Sequence, residues 1–211
     1  MKQIIPAILT QDIADLQSKL KKIQGLTDWV QIDIMDGKFV NNTSITLENI
    51  SHIKLIDNFS IEAHLMVLNP ETYFLQCQKG NVKRVSFHVE AGNIKNILSE
   101  AKKFNFQKGL ALNPETPIKE IIPHMDEIDF VVLMSVNPGL QGQKFISQTL
   151  GKIQELKQIA PQLEIEVDGG INLDNIKMIS DAGANYLVVG SGLFEGENIK
   201  KRFKDLQSKI K

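Results

Sequence analysis

A single cysteine among 211 residues leaves no partner for an intrachain disulfide. Cys77 therefore fits a reducing compartment, and its place in an expected helix makes it inert rather than reactive. No stretch approaches the roughly 18 consecutive apolar residues that a membrane span needs. Residues 1–6 also lack the long apolar core and cleavage-like site of a secretion signal. Together these absences point to the cytoplasm and to no membrane partner. Charge of one sign is missing as well: 24 basic and 25 acidic side chains give a net charge of -1. With the lysines spread along helical segments, this balance leaves no footprint for a polyanion and excludes nucleic acid as the expected partner. What the chain does have is a hydrophobic content of 42%, enough for a sizeable core. The expectation is one domain over residues 1–211.

Short apolar runs alternate with segments of helical periodicity along the whole chain. Ile4–Leu9 reads as the first strand. Thr10 or Asp12 then starts a helix with Ile13, Leu16, Leu20 and Ile23 on one face, and Gly25 stops it. Further strands are expected at about 29–34, 60–67, 82–89, 107–112, 129–134, 163–167 and 186–189. Helices are expected over 47–57, 70–79, 91–104, about 117–124, 145–159, 172–181 and 198–209, with a short one from Ser191 to about Glu195. Eight strand-then-helix units without a linker predict a parallel sheet closed into a single (β/α)8 TIM barrel. The alternative, an open doubly wound sheet, usually carries a glycine fingerprint after its first strand. Here that position reads Thr10-Gln11-Asp12.

The stretch 29–37, Trp-Val-Gln-Ile-Asp-Ile-Met-Asp-Gly, organises the functional reading. Asp33 lies within a run that reads as a buried strand, where a lone carboxylate would be costly to desolvate. Such a group is paired, bound to metal or engaged in proton chemistry, whereas Asp36 beside Gly37 suits a turn. In a barrel the active site lies at the C-terminal strand ends. Gln31, Asp33, His64, His88, Asn113, Asn137 and Asp168 all fall there. Each alone could be a strand-end cap or a satisfied buried partner, and for His88 and Asn113 that reading competes evenly. Asp33, His64 and Asp168 together make a metal site or an acid–base pair. His52 and His124 are expected at the surface.

Glycine-bearing turns follow the last three strands: Gly139 to Gly142, Gly169-Gly170 and Gly190-Ser191-Gly192. Glycine lets the backbone approach a ligand and aim N–H groups at it, and barrels often hold phosphate after strands seven and eight. A phosphorylated substrate is therefore expected. Met35, Met66 and Met134 end three strands near the same rim. They serve either as core filler or as an apolar floor that excludes water.

These motifs resemble the ribulose-phosphate 3-epimerase family, in order and along nearly the whole chain. The matching segments are 33–37 (DIMDG), 64–66 (HLM), 111–114 (ALNP), 134–139 (MSVNPG), 142–145 (GQKF), 167–171 (VDGGI) and 190–191 (GS). The resemblance implies a (β/α)8 barrel, commonly an oligomer. It would interconvert D-ribulose 5-phosphate and D-xylulose 5-phosphate by inverting C3 through an enediolate. It implies Asp33 and Asp168 as the two proton-transfer residues and a divalent cation (zinc, iron or manganese). The ion would be held by Asp33, His64, Asp168 and position 31. It further implies Gly139, Gly142, Gly170, Gly190 and Ser191 as the phosphate cradle, and Met35, Met66 and Met134 against the intermediate. The chain departs from the family pattern at Ala7, where a substrate-positioning serine is usual, and at Asn41-Asn42 and Leu140-Gln141. It also departs at Gln31, which is expected to take the place of a metal-binding histidine. These departures keep two further readings open: 3-epimerisation of a hexulose 6-phosphate, and sugar-phosphate binding without efficient turnover.

Overall fold

A computed structural model describes residues 2–210; Met1 and Lys211, the ends of the expected domain, lie outside the described residues. Eight parallel strands close into a barrel in sequence order. They are β1 (Gln3–Ile8), β2 (Trp29–Met35), β3 (Ser60–Met66), β4 (Arg84–His88), β5 (Gln107–Leu112), β6 (Phe130–Met134), β7 (Glu164–Asp168) and β8 (Tyr186–Val189). The fold is the (β/α)8 TIM barrel. Its strands are nearly continuous apolar runs because helices cover the outer face while side chains fill the inner one. All of β6 is buried, and so is β2 after Trp29.

Among the described residues eight α-helices surround the barrel: α1 (Ile13–Ile23), α2 (Leu47–Ser51), α3 (Phe74–Lys79), α4 (Ile94–Ala101), α5 (Thr149–Ile159), α6 (Ile176–Ala182), α7 (Ser191–Phe194) and α8 (Ile199–Lys209). Asp12 caps α1 by accepting from the Ala14 N–H at 2.8 Å. Leu16, Leu20 and Ile23 then bury their stripe against the strands, while Ile13 stays exposed. Cys77 is buried on α3, and burial pushes its thiol up to about 12.

Several helices are shorter than their periodicity suggested. The segment 47–57 splits into α2 and a 3-10 turn at Lys54–Asn58. The segment 70–79 begins as a 3-10 turn at Pro70–Tyr73. After β5 there are only the 3-10 turns Ile118–Glu120 and Ile122–Glu127. Pro123 lies inside that stretch, in the first turn of the second 3-10 segment, and it withholds a backbone donor that one continuous α-helix starting after Pro117 would use. α5 starts at Thr149 rather than Phe145: the Thr149, Leu150 and Gly151 N–H groups bond three residues back, to the carbonyls of Ile146, Ser147 and Gln148, as turns rather than α-helix, and the Ile146 N–H ties the segment to the Ser135 carbonyl at 2.8 Å. Residues 135–148 thereby become a long loop over the barrel mouth.

Strand register sets the layers inside. Gln31 pairs with Glu62, Asp33 with His64 and Met35 with Met66 across β2 and β3. Side chains two apart point the same way. At the bottom, Arg84 lies 3.3 Å from Glu62 and 3.2 Å from Glu166, all three fully or almost fully buried. Its guanidinium sits 3.8 Å over the Phe130 ring and 4.3 Å over Tyr186. Burial, together with the nearby Glu62 charge, pushes the Glu166 carboxyl well above the usual carboxylate range. This charged plug fills the barrel below the functional layer. Among the described residues no helix is long and apolar enough to cross a membrane.

Candidate active site

The layer above the plug brings four polar side chains together. His64 directs Nδ1 at Asp168 Oδ2, 3.3 Å away, and at Asp33 Oδ1, 3.5 Å away. Gln31 donates from Nε2 to Asp33 Oδ1 and to Asp168 Oδ2, at 2.8 Å each. Burial raises the Asp33 carboxyl and Asp168 adds repulsion, while His64 and Gln31 oppose both. Burial alone would depress His64, but its bonds to Asp168 and Asp33 outweigh that and lift it to about 10. The arrangement is a pair of carboxylates converging on one imidazole from β2, β3 and β7.

One ligand atom from each of Asp33, His64 and Asp168 lies within 4.8 Å of the others, which makes this trio a candidate cation site. Two carboxylate oxygens and one ring nitrogen suit a divalent ion of the first transition row. The expectation that Gln31 takes the place of a metal-binding histidine is corrected by this geometry. The group able to hold an ion is intact without it. The Gln31 amide nitrogen instead gives hydrogens to both carboxylates, and such a nitrogen has no lone pair to offer an ion.

Above this layer a cavity opens at the C-terminal ends of the strands. Asp33, Asp168, Met35, Met66 and Met134 reach it from the barrel, and Ala7 from β1. Gly139, Gly142, Gly170, Gly190 and Ser191 line its loop side. Gly170 has a φ of +63°, and a Cβ there would meet the Phe145 backbone nitrogen at 2.6 Å, so a side chain is barred by both conformation and space. Ser191 opens the single turn α7 at the edge of the cavity. The loop after β6 is tied across the mouth: Asn42 donates to the Gly139 carbonyl at 2.9 Å and Gln141 to the Leu9 carbonyl at 3.2 Å.

The remaining rim residues lie apart from the cavity. Asp36 shapes its turn as expected, accepting from the N–H groups of Lys38, Phe39 and Leu68. Those bonds outweigh burial and lower its carboxyl. The Asn137 carbonyl accepts from Gln143. Asn113 contributes backbone groups, its N–H to Glu90 and its carbonyl to Lys152. His88 is fully buried behind His64. Sequence reasoning passed over Glu90 and the lining residues Leu9, Val136, Gln143 and Ile171. Glu90 left one usable signal, an acceptor two residues beyond a strand-end histidine.

The family model described as the ribulose-phosphate 3 epimerase family matches residues 3–194. The chain is 35% identical to a ribulose-phosphate 3-epimerase from Bacillus subtilis, over 98% of this chain and 99% of that one. It is 34% identical to the cytoplasmic isoform of ribulose-phosphate 3-epimerase from Oryza sativa, over 91% of this chain and 87% of the relative. Among solved structures, 3-hexulose-6-phosphate synthase from Salmonella typhimurium superimposes with a TM-score of 0.75. That match spans 100% of this chain and 98% of the other at 14% identity, a likeness of fold alone.

Proposed function

This chain belongs to the ribulose-phosphate 3-epimerase family and is an isomerase of that type, and from this premise we propose that it inverts C3 of D-ribulose 5-phosphate to give D-xylulose 5-phosphate. The observation that carries the reading is the convergence of Asp33 and Asp168, from β2 and β7, on one cavity. One carboxylate removes the C3 proton beside the ketone and the other returns a proton to the opposite face. Positioned acids and bases contribute about 10²–10⁴-fold in such steps. Burial raises the Asp33 carboxyl, which makes it a stronger base than a solvated aspartate. Gln31 fixes both carboxylates through its two amide hydrogens. Met35, Met66 and Met134 give the reacting carbon an apolar surface that excludes water. Gly139, Gly142, Gly170, Gly190 and Ser191 hold the phosphate.

Asp33, His64 and Asp168 would hold the divalent ion, zinc, iron or manganese. When bound, it supplies positive charge to the enediolate oxygens. The chain acts as one domain, assembles as a homo-oligomer and works in the cytoplasm, the compartment in the rice relative's name. Sedimentation measures the assembly.

The deciding assay incubates the purified protein with D-ribulose 5-phosphate in D₂O, with and without zinc, iron or manganese. The expected outcome is C3 inversion with deuterium entering at C3. No exchange with any of the metals overturns the proposal. A hexulose 6-phosphate run in parallel ranks the substrates by kcat/KM.

A further inference from the structure

His64 uses only one of its ring nitrogens on the carboxylates. The other, Nε2, faces His88 Nε2 at 3.0 Å. Two ring nitrogens at that distance share one hydrogen, so one donates and one accepts. His88 Nδ1 decides which, because it lies 3.3 Å from Glu90 Oε2. A carboxylate only accepts, so His88 carries its hydrogen on Nδ1 and leaves Nε2 bare. His64 must then donate from Nε2, and in its neutral form its Nδ1 lone pair is left facing Asp33 and Asp168.

Glu90 is itself held in place. Its Oε1 accepts from the Asn113 N–H at 3.0 Å and from the Thr116 hydroxyl. The turn that carries both is pinned by Lys152, which donates to the carbonyls of Asn113, Pro114 and Thr116 at 3.0, 2.7 and 2.6 Å. Both Glu90 oxygens are therefore committed as acceptors. The Phe39 ring packs against His88 with centroids 4.9 Å apart and helps close that side.

We propose that His88 and Glu90 are positioning residues that set the tautomer of His64 and thereby the affinity of the Asp33–His64–Asp168 site for a divalent cation. The inference rests on the reading of that trio as a metal site. A ring hydrogen given to a fixed acceptor orients a ligating histidine and strengthens it as a donor, and loss of such a partner typically costs about 10–100-fold in metal affinity. The side chains come from β3, β4 and the turn after β4, so the relay runs sideways through the barrel wall rather than into the cavity.

Glu90→Gln tests this with almost no change in volume. Glutamine has one acceptor oxygen where the site needs two, against the Asn113 N–H and against His88. The amide hydrogens then compete for His88 Nδ1 and favour the reversed tautomer. Zinc affinity is measured by chelator competition on wild type and variant, alongside ¹⁵N histidine spectra of the metal-free proteins. The expected result is about 10–100-fold weaker zinc binding in the variant. Wild-type His88 should show hydrogen on Nδ1 and a bare Nε2, and the variant should lose that pattern. Equal affinities, or a wild-type His88 protonated on Nε2, overturn the proposal. Absence of zinc, iron and manganese binding by the wild-type protein overturns the metal reading itself, and the affinity claim with it. The wild-type spectrum reads the tautomer without any variant and separates the two failures.

Discussion

Gln31 donates to Asp168 at 2.8 Å although the two lie 137 positions apart, one on β2 and the other on β7. The same nitrogen serves Asp33 at 2.8 Å, so one neutral amide links a buried carboxylate and a half-buried one across the barrel. Gln31→Leu keeps the bulk and removes both donors. Unsatisfied buried acceptors cost about 1–3 kcal/mol, and urea unfolding of the chelator-treated variant should show a loss of that order. Its kcat should fall more than its KM rises, since the carboxylates lose alignment while the loops proposed to hold phosphate are untouched.

Gly190→Ala separates a binding role from a folding one. The added Cβ meets only the Ala7 carbonyl oxygen, at an ordinary 3.7 Å, and Gly190 has no positive φ to strain. The variant should melt like wild type while its KM for the sugar phosphate rises about tenfold, roughly 1.4 kcal/mol of lost binding. An unchanged KM would remove Gly190 from the phosphate site.

A bound cation should stabilise the native chain. At a concentration about 100 times its Kd, a ligand specific for the folded state contributes about 2.7 kcal/mol. Thermal melts with manganese or zinc should shift upward and return on adding chelator. His64→Ala should abolish the shift, because it removes the only nitrogen ligand of the trio.

Arg84→Leu strands the Glu62 and Glu166 carboxyls without a counter-charge in a buried layer. Breaking a buried ion pair from one side costs about 3–5 kcal/mol. Denaturant titration should show a loss in that range. Replacing all three charged groups by apolar residues of similar volume should recover most of it.

Glu90 gives the acid dependence. Burial favours its neutral form, but the bonds from His88, Thr116 and the Asn113 N–H outweigh this and lower its carboxyl to about 2, against an ordinary 4.5. A carboxylate lowered on folding contributes stability that is complete above the unfolded value and lost as pH falls through the folded one. The stability advantage of wild type over Glu90→Gln should therefore be full at pH 6 and shrink between about pH 4.5 and pH 2. A difference that grows on acidification would contradict the bonding seen at Glu90.

The barrel was legible because parallel strands covered on both faces leave long apolar runs, as in Phe130–Met134, and because eight of them recur. Helix lengths were less legible. Periodicity marked 145–159, but residues 146–148 form turns closed by bonds three residues back, on a segment that the Ile146 N–H ties to Ser135, a tertiary contact that local pattern does not encode. Asp33, His64 and Asp168 stood out because charged or polar groups in apolar runs demand a partner. The role of Gln31 did not, because an amide serves equally as donor or acceptor and only its neighbours decide. Arg84 and Glu166 received no reading from the sequence, since only the register and barrel closure set them, with Glu62, on the same inner layer.

The plug of Arg84, Glu62 and Glu166 has a kinetic consequence. With the barrel floor filled, the cavity is closed from below among the described residues and opens at the C-terminal ends of the strands. Substrate and product of the proposed reaction would share that mouth, across which Asn42 and Gln141 tie the loop after β6. Two epimers that share one cavity compete for it, so a change that loosens the loop across the mouth should alter the forward and reverse reactions together.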